Sequence, residues 1–76
     1  MNETLRNRFR ELVDEKGLSK TQCAREIGIS YHVFRNIYDY GKGRKAIALI
    51  LISRYFNVSA DYLLGLSDEK EIKKNR

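Results

Sequence analysis

Four neighbouring side chains between residues 31 and 36 have the chemistry needed to recognise another molecule. They are Tyr31, His32, Arg35 and Asn36. A guanidinium can donate two parallel hydrogen bonds to the O6 and N7 of guanine, and a side-chain amide can pair with adenine. An imidazole can donate to guanine or contact a phosphate, and a tyrosine can stack on a sugar or a thymine methyl, or bond a phosphate. Ordinary exposed positions of a helix are the alternative interpretation, so the surrounding elements decide between the two.

The stretch from residue 20 to residue 39 predicts two helices joined by a tight turn. Ala24 is small enough for a second helix to cross closely, and Gly28 can adopt the positive φ that ends a helix. Ser30 can accept a hydrogen bond from the free N–H groups of the next helix. Phe34 and Ile37 then point inward, which leaves the four polar and aromatic side chains exposed. This pattern is typical of a helix-turn-helix, whose second helix enters the DNA major groove.

An apolar stripe at helical spacing predicts a first helix, which Gly17 ends. Ser19 is expected to cap the second helix, and Gln22, three residues later, completes the pattern of a capping box. Three arginines alternate along the first helix and do not share one face, so they are expected to face solvent. The stripe consists of Leu5, Phe9, Leu12 and Val13, and the arginines are Arg6, Arg8 and Arg10.

Two more helices are predicted after a basic, glycine-rich loop at residues 40–45. The fourth spans about residues 46–56, and the fifth is capped by Ser59, carries Asp61 in its first turn and is stopped by Gly65. Since no segment favours a strand, the predicted fold class is all-α with five short helices. The residues of the fourth helix that are expected in the core are Ala46, Leu49, Ile50, Ile52, Ser53 and Phe56.

Length and composition limit the class of protein. The 76 residues make one small domain, expected at residues 1–66, with a polar, basic and flexible tail at residues 67–76. The single cysteine, Cys23, is expected in the core, and the sequence lacks the Cys/His spacings of a metal site. No segment is long and apolar enough for a bilayer, so a soluble cytoplasmic protein with no membrane partner is expected. The net charge of +5 permits attraction to phosphate without requiring it.

Three phrases in a fixed order carry a resemblance to a known family. They are EKGLS at residues 15–19, AREIGIS at residues 24–30 and FNVSADYLLG at residues 56–65. With this order and spacing, the chain resembles the lambda-repressor-like, Cro-type helix-turn-helix proteins, also called the XRE family. The resemblance implies a five-helix DNA-binding domain that acts as a dimer on palindromic operators, often as a bacterial or phage regulator. No cofactor and no small-molecule substrate are expected.

The resemblance also suggests which residues contact the DNA backbone. The family usually has a glutamine that contacts a phosphate at the position of Lys20, and a lysine can make that contact as a charge. The family's proline after the basic loop is absent, and a solvated loop is the alternative interpretation of the loop's basic residues. The family often has a buried ion pair at the positions of Val13 and Tyr38, which apolar packing can replace. The expected phosphate-binding residues are Lys20, Thr21, Gln22, Lys42, Arg44 and Lys45.

A second apolar face on the fourth helix suggests a contact surface between two copies of the chain. The family usually has polar residues at the positions of Ile47 and Leu51, which lie one turn apart. The expected homodimer interface consists of Ile47, Leu51, Tyr55 and Val58. Alternatively, the basic loop or the tail, through Leu66 or Ile72, covers these side chains in the monomer.

Two functions fit these features. The first is a sequence-specific transcriptional regulator of double-stranded DNA, most often a repressor that occupies an operator. The second is a protein-interaction module, an antitoxin or a regulatory subunit that uses the same fold to bind a protein partner. The sequence has no Ser/His/Asp set and no paired carboxylates, and a chain of this size has little room for a catalytic cleft, so an enzyme is not expected.

Overall fold

The computed structural model describes residues 2–43 and 45–70. In these ranges the chain forms five α-helices and no β-strand, which confirms the all-α prediction. The helices are α1 (Glu3–Lys16), α2 (Lys20–Ile27), α3 (Tyr31–Tyr40), α4 (Ala46–Phe56) and α5 (Ala60–Leu64). None of these helices has both the length and the apolar character that crossing a membrane requires.

Four helices begin at a side-chain cap. The capping residues are Asn2 of α1, Ser19 of α2, Ser30 of α3 and Ser59 of α5. Each accepts a hydrogen bond from a backbone N–H in the first turn, so the three predicted serine caps are confirmed. The predicted capping box is only half formed, because the Gln22 amide donates to the Glu26 carboxylate at 3.3 Å and not to the start of its own helix.

The start of α1 and the end of α3 meet through backbone groups. The Asn2 N–H donates to the carbonyl of Gly41 at 3.2 Å, and the Asn2 side chain donates to the carbonyl of Leu64 at 3.2 Å. Gly41 has a φ of +66°, and a Cβ at this position would clash with the carbonyl oxygen of Asn2. Glycine therefore permits this close approach, which fixes where the chain leaves α3 and enters the basic loop.

Side chains from all five helices form one core. Phe9 of α1 and Phe34 of α3 are fully buried and pack edge to face, with ring centroids 5.1 Å apart. The core cluster comprises Leu5, Phe9, Leu12, Val13, Cys23, Ala24, Ile27, Phe34, Ile37, Ile52, Val58 and Leu63. The apolar stripe predicted for α1, the inward positions predicted for α3 and the core position predicted for the cysteine are therefore confirmed.

The buried face of α4 differs in part from the prediction. Ile52 and Ser53 are buried as expected, but Ala46 and Ile50 are exposed, and Ala48 is buried instead. Ala48 and Ile52 lie one turn apart and define the buried stripe. Ile50 is two residues from each of them, so it lies on the opposite side of the helix. The prediction included Ile50 and Ala46 because nearly every position of α4 is apolar, so that periodicity did not decide which side faces the core.

The three arginines of α1 are half-buried, which corrects the prediction that they face solvent. They are Arg6, Arg8 and Arg10. Arg8 Nη1 donates to the carbonyls of Tyr62 at 2.5 Å and Ser67 at 2.9 Å, and its guanidinium lies 4.1 Å from the centre of the Tyr62 ring. Arg10 Nε donates to the carbonyl of Tyr38 at 2.6 Å. Arg8 therefore connects α1 to α5 and the segment after it, and Arg10 connects α1 to α3.

Residues 67–70 are held against the domain, although the sequence predicted a flexible tail from residue 67. Arg8 Nη2 donates to Asp68 Oδ1 at 3.2 Å. The Ser59 N–H donates to the carbonyl of Lys70 at 2.9 Å, and the Ser59 hydroxyl donates to the carbonyl of Glu69 at 3.1 Å. The boundary of the packed part therefore lies beyond residue 66. The rest of the predicted tail, residues 71–76, lies outside the described residues.

Candidate nucleic-acid interface

Helices α2 and α3 are joined by residues 28–30, as predicted for the helix-turn-helix. Ala24 is buried, which a close crossing of the two helices requires. Cys23 is also buried, and burial raises the pKa of its thiol, as does the nearby Glu26, so the residue stays a neutral core thiol. Phe34 and Ile37 are fully buried on the inner side of α3. The outer side of α3 therefore faces away from the core.

The four predicted base-reading side chains form two rows on α3. Tyr31 and Arg35 are one turn apart, and both are exposed. His32 and Asn36 form the second row, the first exposed and the second half-buried. Tyr31 stacks in parallel with Phe34, their ring centroids 6.3 Å apart, so its ring is supported from the core side. The row of Tyr31 and Arg35 lies beside Asp39, and the row of His32 and Asn36 lies beside the basic loop.

The second row borders the basic loop. His32 and Asn36 line an open cleft of about 300 Å³ together with Lys42 and Lys45. The remaining lining residues are Val33, Gly43 and Ala48. The structure thus brings two of the predicted base-reading residues next to two of the predicted phosphate-binding lysines. No acidic side chain among the described residues lines this cleft, so its surface can attract an anion.

The first row borders an acid that the sequence interpretation missed. Arg35 Nε lies 3.7 Å from Asp39 Oδ2, and Arg10 Nη2 lies 4.0 Å from Asp39 Oδ1. Asp39 therefore lies near both Arg10 of α1 and Arg35, the strongest candidate for reading a base. The signal was present in the sequence, because an arginine and an aspartate four residues apart on a helix are neighbours.

Lys20, at the start of α2, is placed beside α3. Its Nζ lies 4.3 Å from the centre of the Tyr38 ring, and Arg10 Cζ lies 4.9 Å from the same centre. The Tyr38 hydroxyl donates to the carboxylate of Asp14 at 3.0 Å. Partial burial and this hydrogen bond raise the pKa of Tyr38, so it remains neutral between the two cations. The other two candidates at the start of this helix, Thr21 and Gln22, are exposed.

The loop after α3 follows a path set by its two glycines. Gly41 contacts Asn2, and Gly43 packs so closely that a Cβ would lie 3.1 Å from the Leu5 side chain. Lys42 lies between them, and its Nζ is 5.7 Å from the centre of the Tyr40 ring. Lys42 therefore lies on a segment that packs against the start of α1. Arg44, the remaining predicted phosphate-binding residue, lies outside the described residues.

The predicted dimer face on α4 is only partly exposed. Ile47 is 61% exposed, whereas Leu51 and Tyr55 are half-buried against the core. Val58 is 2% exposed, so it belongs to the core and has no surface for a partner, which corrects that expectation. The large apolar side chain exposed beside Ile47 is Ile50, at 42%, and the two lie three residues apart on one face.

The alternative that a tail residue covers this face in the monomer is not supported for Leu66. Its side chain is 75% exposed and is not part of the core cluster. The other tail residue considered, Ile72, lies outside the described residues. Among the described residues, Ile47 and Ile50 therefore remain an uncovered apolar pair.

Comparison with known proteins adds one relative. No protein-family profile matches the chain, and no solved structure matches it significantly. Over 69 residues the chain is 32% identical to the uncharacterized HTH-type transcriptional regulator YobD of Bacillus subtilis (strain 168). The match covers 91% of this chain and 62% of the relative, so the chain spans less than two thirds of that protein. Over nearly its whole length, the chain is therefore similar to a helix-turn-helix transcriptional regulator.

Proposed function

We propose that this chain is a sequence-specific double-stranded DNA-binding transcriptional regulator, with α3 in the major groove. The observation that supports this most is the cleft shared by α3 and the basic loop. It sets His32 and Asn36 of the outer face of α3 beside Lys42 and Lys45. A DNA-binding helix needs base-edge contacts and phosphate contacts on one surface, because phosphates fix its position and bases supply specificity. The similarity to a protein named as a transcriptional regulator supports the same proposal.

Base reading is proposed for the outer residues of α3. Arg35 would donate two hydrogen bonds to guanine after exchanging its contact with Asp39, and Asn36 would pair with adenine. Tyr31, supported by its stacking on Phe34, would contact a sugar or a thymine methyl. His32 would reach either a base or the adjoining phosphate.

Phosphate binding is proposed for the start of α2 and for the loop. Lys20, Lys42 and Lys45 are exposed in the described part of the chain and form no ion pair there. Thr21 and Gln22 would add neutral hydrogen bonds, and Arg44 a further charge. Because each neutralised phosphate contributes about −0.9 to the slope of log K against log salt, three lysines give about −3 per protomer.

A homodimer on a palindromic operator is proposed through the exposed face of α4, with Ile47 and Ile50 at its centre. Two adjacent exposed aliphatic side chains are suited to a self-complementary contact. Sedimentation of Ile47→Glu tests this, and Leu66→Glu, a similar change at an exposed apolar residue beyond α5, is the matched control. We expect only the former to lower the mass of the sedimenting species. If neither change affects sedimentation, this face is not the dimer interface.

A repressor that blocks polymerase by occupying its operator is the proposed mode of regulation, since DNA occupancy is the activity that these surfaces support.

The salt response tests the DNA-binding proposal against a protein-interaction module. Duplex affinity should fall steeply with salt, and Lys20→Ala, Lys42→Ala or Lys45→Ala should each flatten the slope by about one. Lys70→Gln, which removes a charge beyond α5, should leave the slope unchanged. If the chain instead binds a protein partner with an affinity that does not change with salt, and binds no duplex, the interaction module is favoured.

A further inference from the structure

His32, the single histidine of the chain, lines the cleft between α3 and the basic loop. Its charged neighbours in the cleft are Lys42 and Lys45, while α4 contributes only Ala48. Within the described residues, neither His32 nor Lys45 forms a hydrogen bond or ion pair through its side chain, and the Lys42 ammonium lies 5.7 Å from the centre of the Tyr40 ring without an ion pair. As far as the described residues line it, the cleft therefore presents positive charge without an acidic side chain to balance it.

Acidic groups on the same helix do not change this balance. Asp39 lies about two turns beyond His32 on α3, and its carboxylate already lies 3.7 Å from Arg35 and 4.0 Å from Arg10. Arg35, which lies one turn from His32, is thus itself paired. An anion that enters the cleft would accordingly meet the imidazole and the two lysines, with Asn36 as a neutral donor.

We infer that His32 binds a DNA backbone phosphate as an imidazolium in this cleft, so that DNA binding takes up a proton. This inference rests on the proposed DNA-binding function and deepens it by naming a regulating condition. Histidine is the side chain that ordinarily changes charge between about pH 5 and about pH 8, and its charged form donates a strong hydrogen bond to a phosphate oxygen. Because the bound state holds the proton, affinity rises as the pH falls.

The test measures the affinity of the full chain for duplex DNA from about pH 6 to about pH 8 at fixed salt, the range in which histidine titrates. The wild type should bind about tenfold more tightly at the lower pH, the size of one charge-assisted hydrogen bond. His32→Gln should bind weakly at every pH, and His32→Arg should bind tightly at every pH. Calorimetry in buffers of different ionisation enthalpy should show proton uptake approaching about one per protomer for the wild type.

A phosphate contact and a base contact give different results on unrelated sequences. If His32 binds a phosphate, the pH effect is the same on an operator-like duplex and on a random duplex. A pH effect confined to the operator-like duplex, or one that persists in His32→Gln, would overturn the inference while leaving DNA binding intact. If no variant binds any duplex at any pH, the proposed function fails, and the inference fails with it.

Discussion

Arg35 Nε lies 3.7 Å from Asp39 Oδ2, one turn further along α3. The same carboxylate lies 4.0 Å from Arg10 Nη2 of α1. The side chain proposed to read guanine is therefore held, in the free protein, by an acid that is also connected to the body of the domain. To bind a base, Arg35 would have to exchange or share this contact, so under the proposed function Asp39 would set part of the free-energy difference between operator and other DNA.

Replacement of Asp39 tests this relationship. Asp39→Asn removes a negative charge near the proposed DNA surface and releases Arg35, so affinity for every duplex should rise by about threefold or more. The ratio of specific to non-specific affinity should rise, because Arg35 no longer has to give up its contact with Asp39 to read guanine. Fluorescence anisotropy with an operator-like and a scrambled duplex measures both, and Asp61→Asn on α5 is the matched control. If Asp39→Asn and Asp61→Asn bind alike, Asp39 does not tune recognition.

The close approach of Gly41 to Asn2 predicts an unequal effect of alanine at two helix ends. Gly17 and Gly41 have similar φ values, +72° and +66°, but only at Gly41 would a Cβ meet other atoms. Gly17→Ala should lower the free energy of unfolding by about 1 kcal/mol from backbone strain. Gly41→Ala should cost at least about 2 kcal/mol more, because the start of α1 must move. Urea denaturation compares the two, and equal losses would mean that the chain accommodates the contact.

Arg8 is predicted to contribute to stability more than an exposed arginine does. It donates to the carbonyls of Tyr62 and Ser67 and covers the Tyr62 ring. Arg8→Ala should lower the free energy of unfolding by about 2 to 3 kcal/mol, since charged donors are lost from part-buried carbonyls. The contact with the exposed Asp68 adds little. Arg25→Ala, at an exposed position of α2, is the control; a loss of similar size there would argue against this role.

Tyr55 is expected to ionise only at very high pH. Its hydroxyl donates to Glu26 Oε1 at 2.5 Å, and this hydrogen bond, with burial and the charge of Glu26, raises the pKa of Tyr55 to about 12. Because the folded-state pKa is above the ordinary value of 10.0, the stabilising contribution is fully present below about pH 10. It is lost as the pH rises through about 12.

Ultraviolet titration of tyrosinate absorbance measures this, with Tyr55→Phe to assign the signal. Glu26→Gln should bring the ionisation of Tyr55 back toward its ordinary range, since the carboxylate acceptor and its charge are gone. An unchanged titration in Glu26→Gln would show that the two side chains are not hydrogen-bonded in solution.

Local signals predicted the helices well because they depend on neighbouring residues. Ser30 and Gly28 define the turn between α2 and α3 through capping and a left-handed backbone, and both effects act within one turn. The spacing of Phe34 and Ile37 was sufficient to orient α3, because both are large and apolar.

Contacts between distant segments could not be predicted in this way. The role of Arg8 depends on Tyr62 and Ser67, which are more than fifty residues away, and no local pattern marks such a contact. On α4 nearly every position is apolar, so periodicity could not decide that Ala48, and not Ile50, faces the core. For the same reason the sequence predicted Ile47 and Leu51 as the exposed pair of α4, whereas the structure exposes Ile47 and Ile50.

The most direct test of the central claim is selection of bound duplexes from a random DNA pool, at a physiological salt concentration of about 150 mM. The wild type and Arg35→Ala are selected in parallel. We predict that the wild type enriches a palindromic consensus, which is lost or relaxed at the position read by Arg35 in the variant. If the wild type enriches no sequence and binds every duplex alike, this chain is not a sequence-specific regulator.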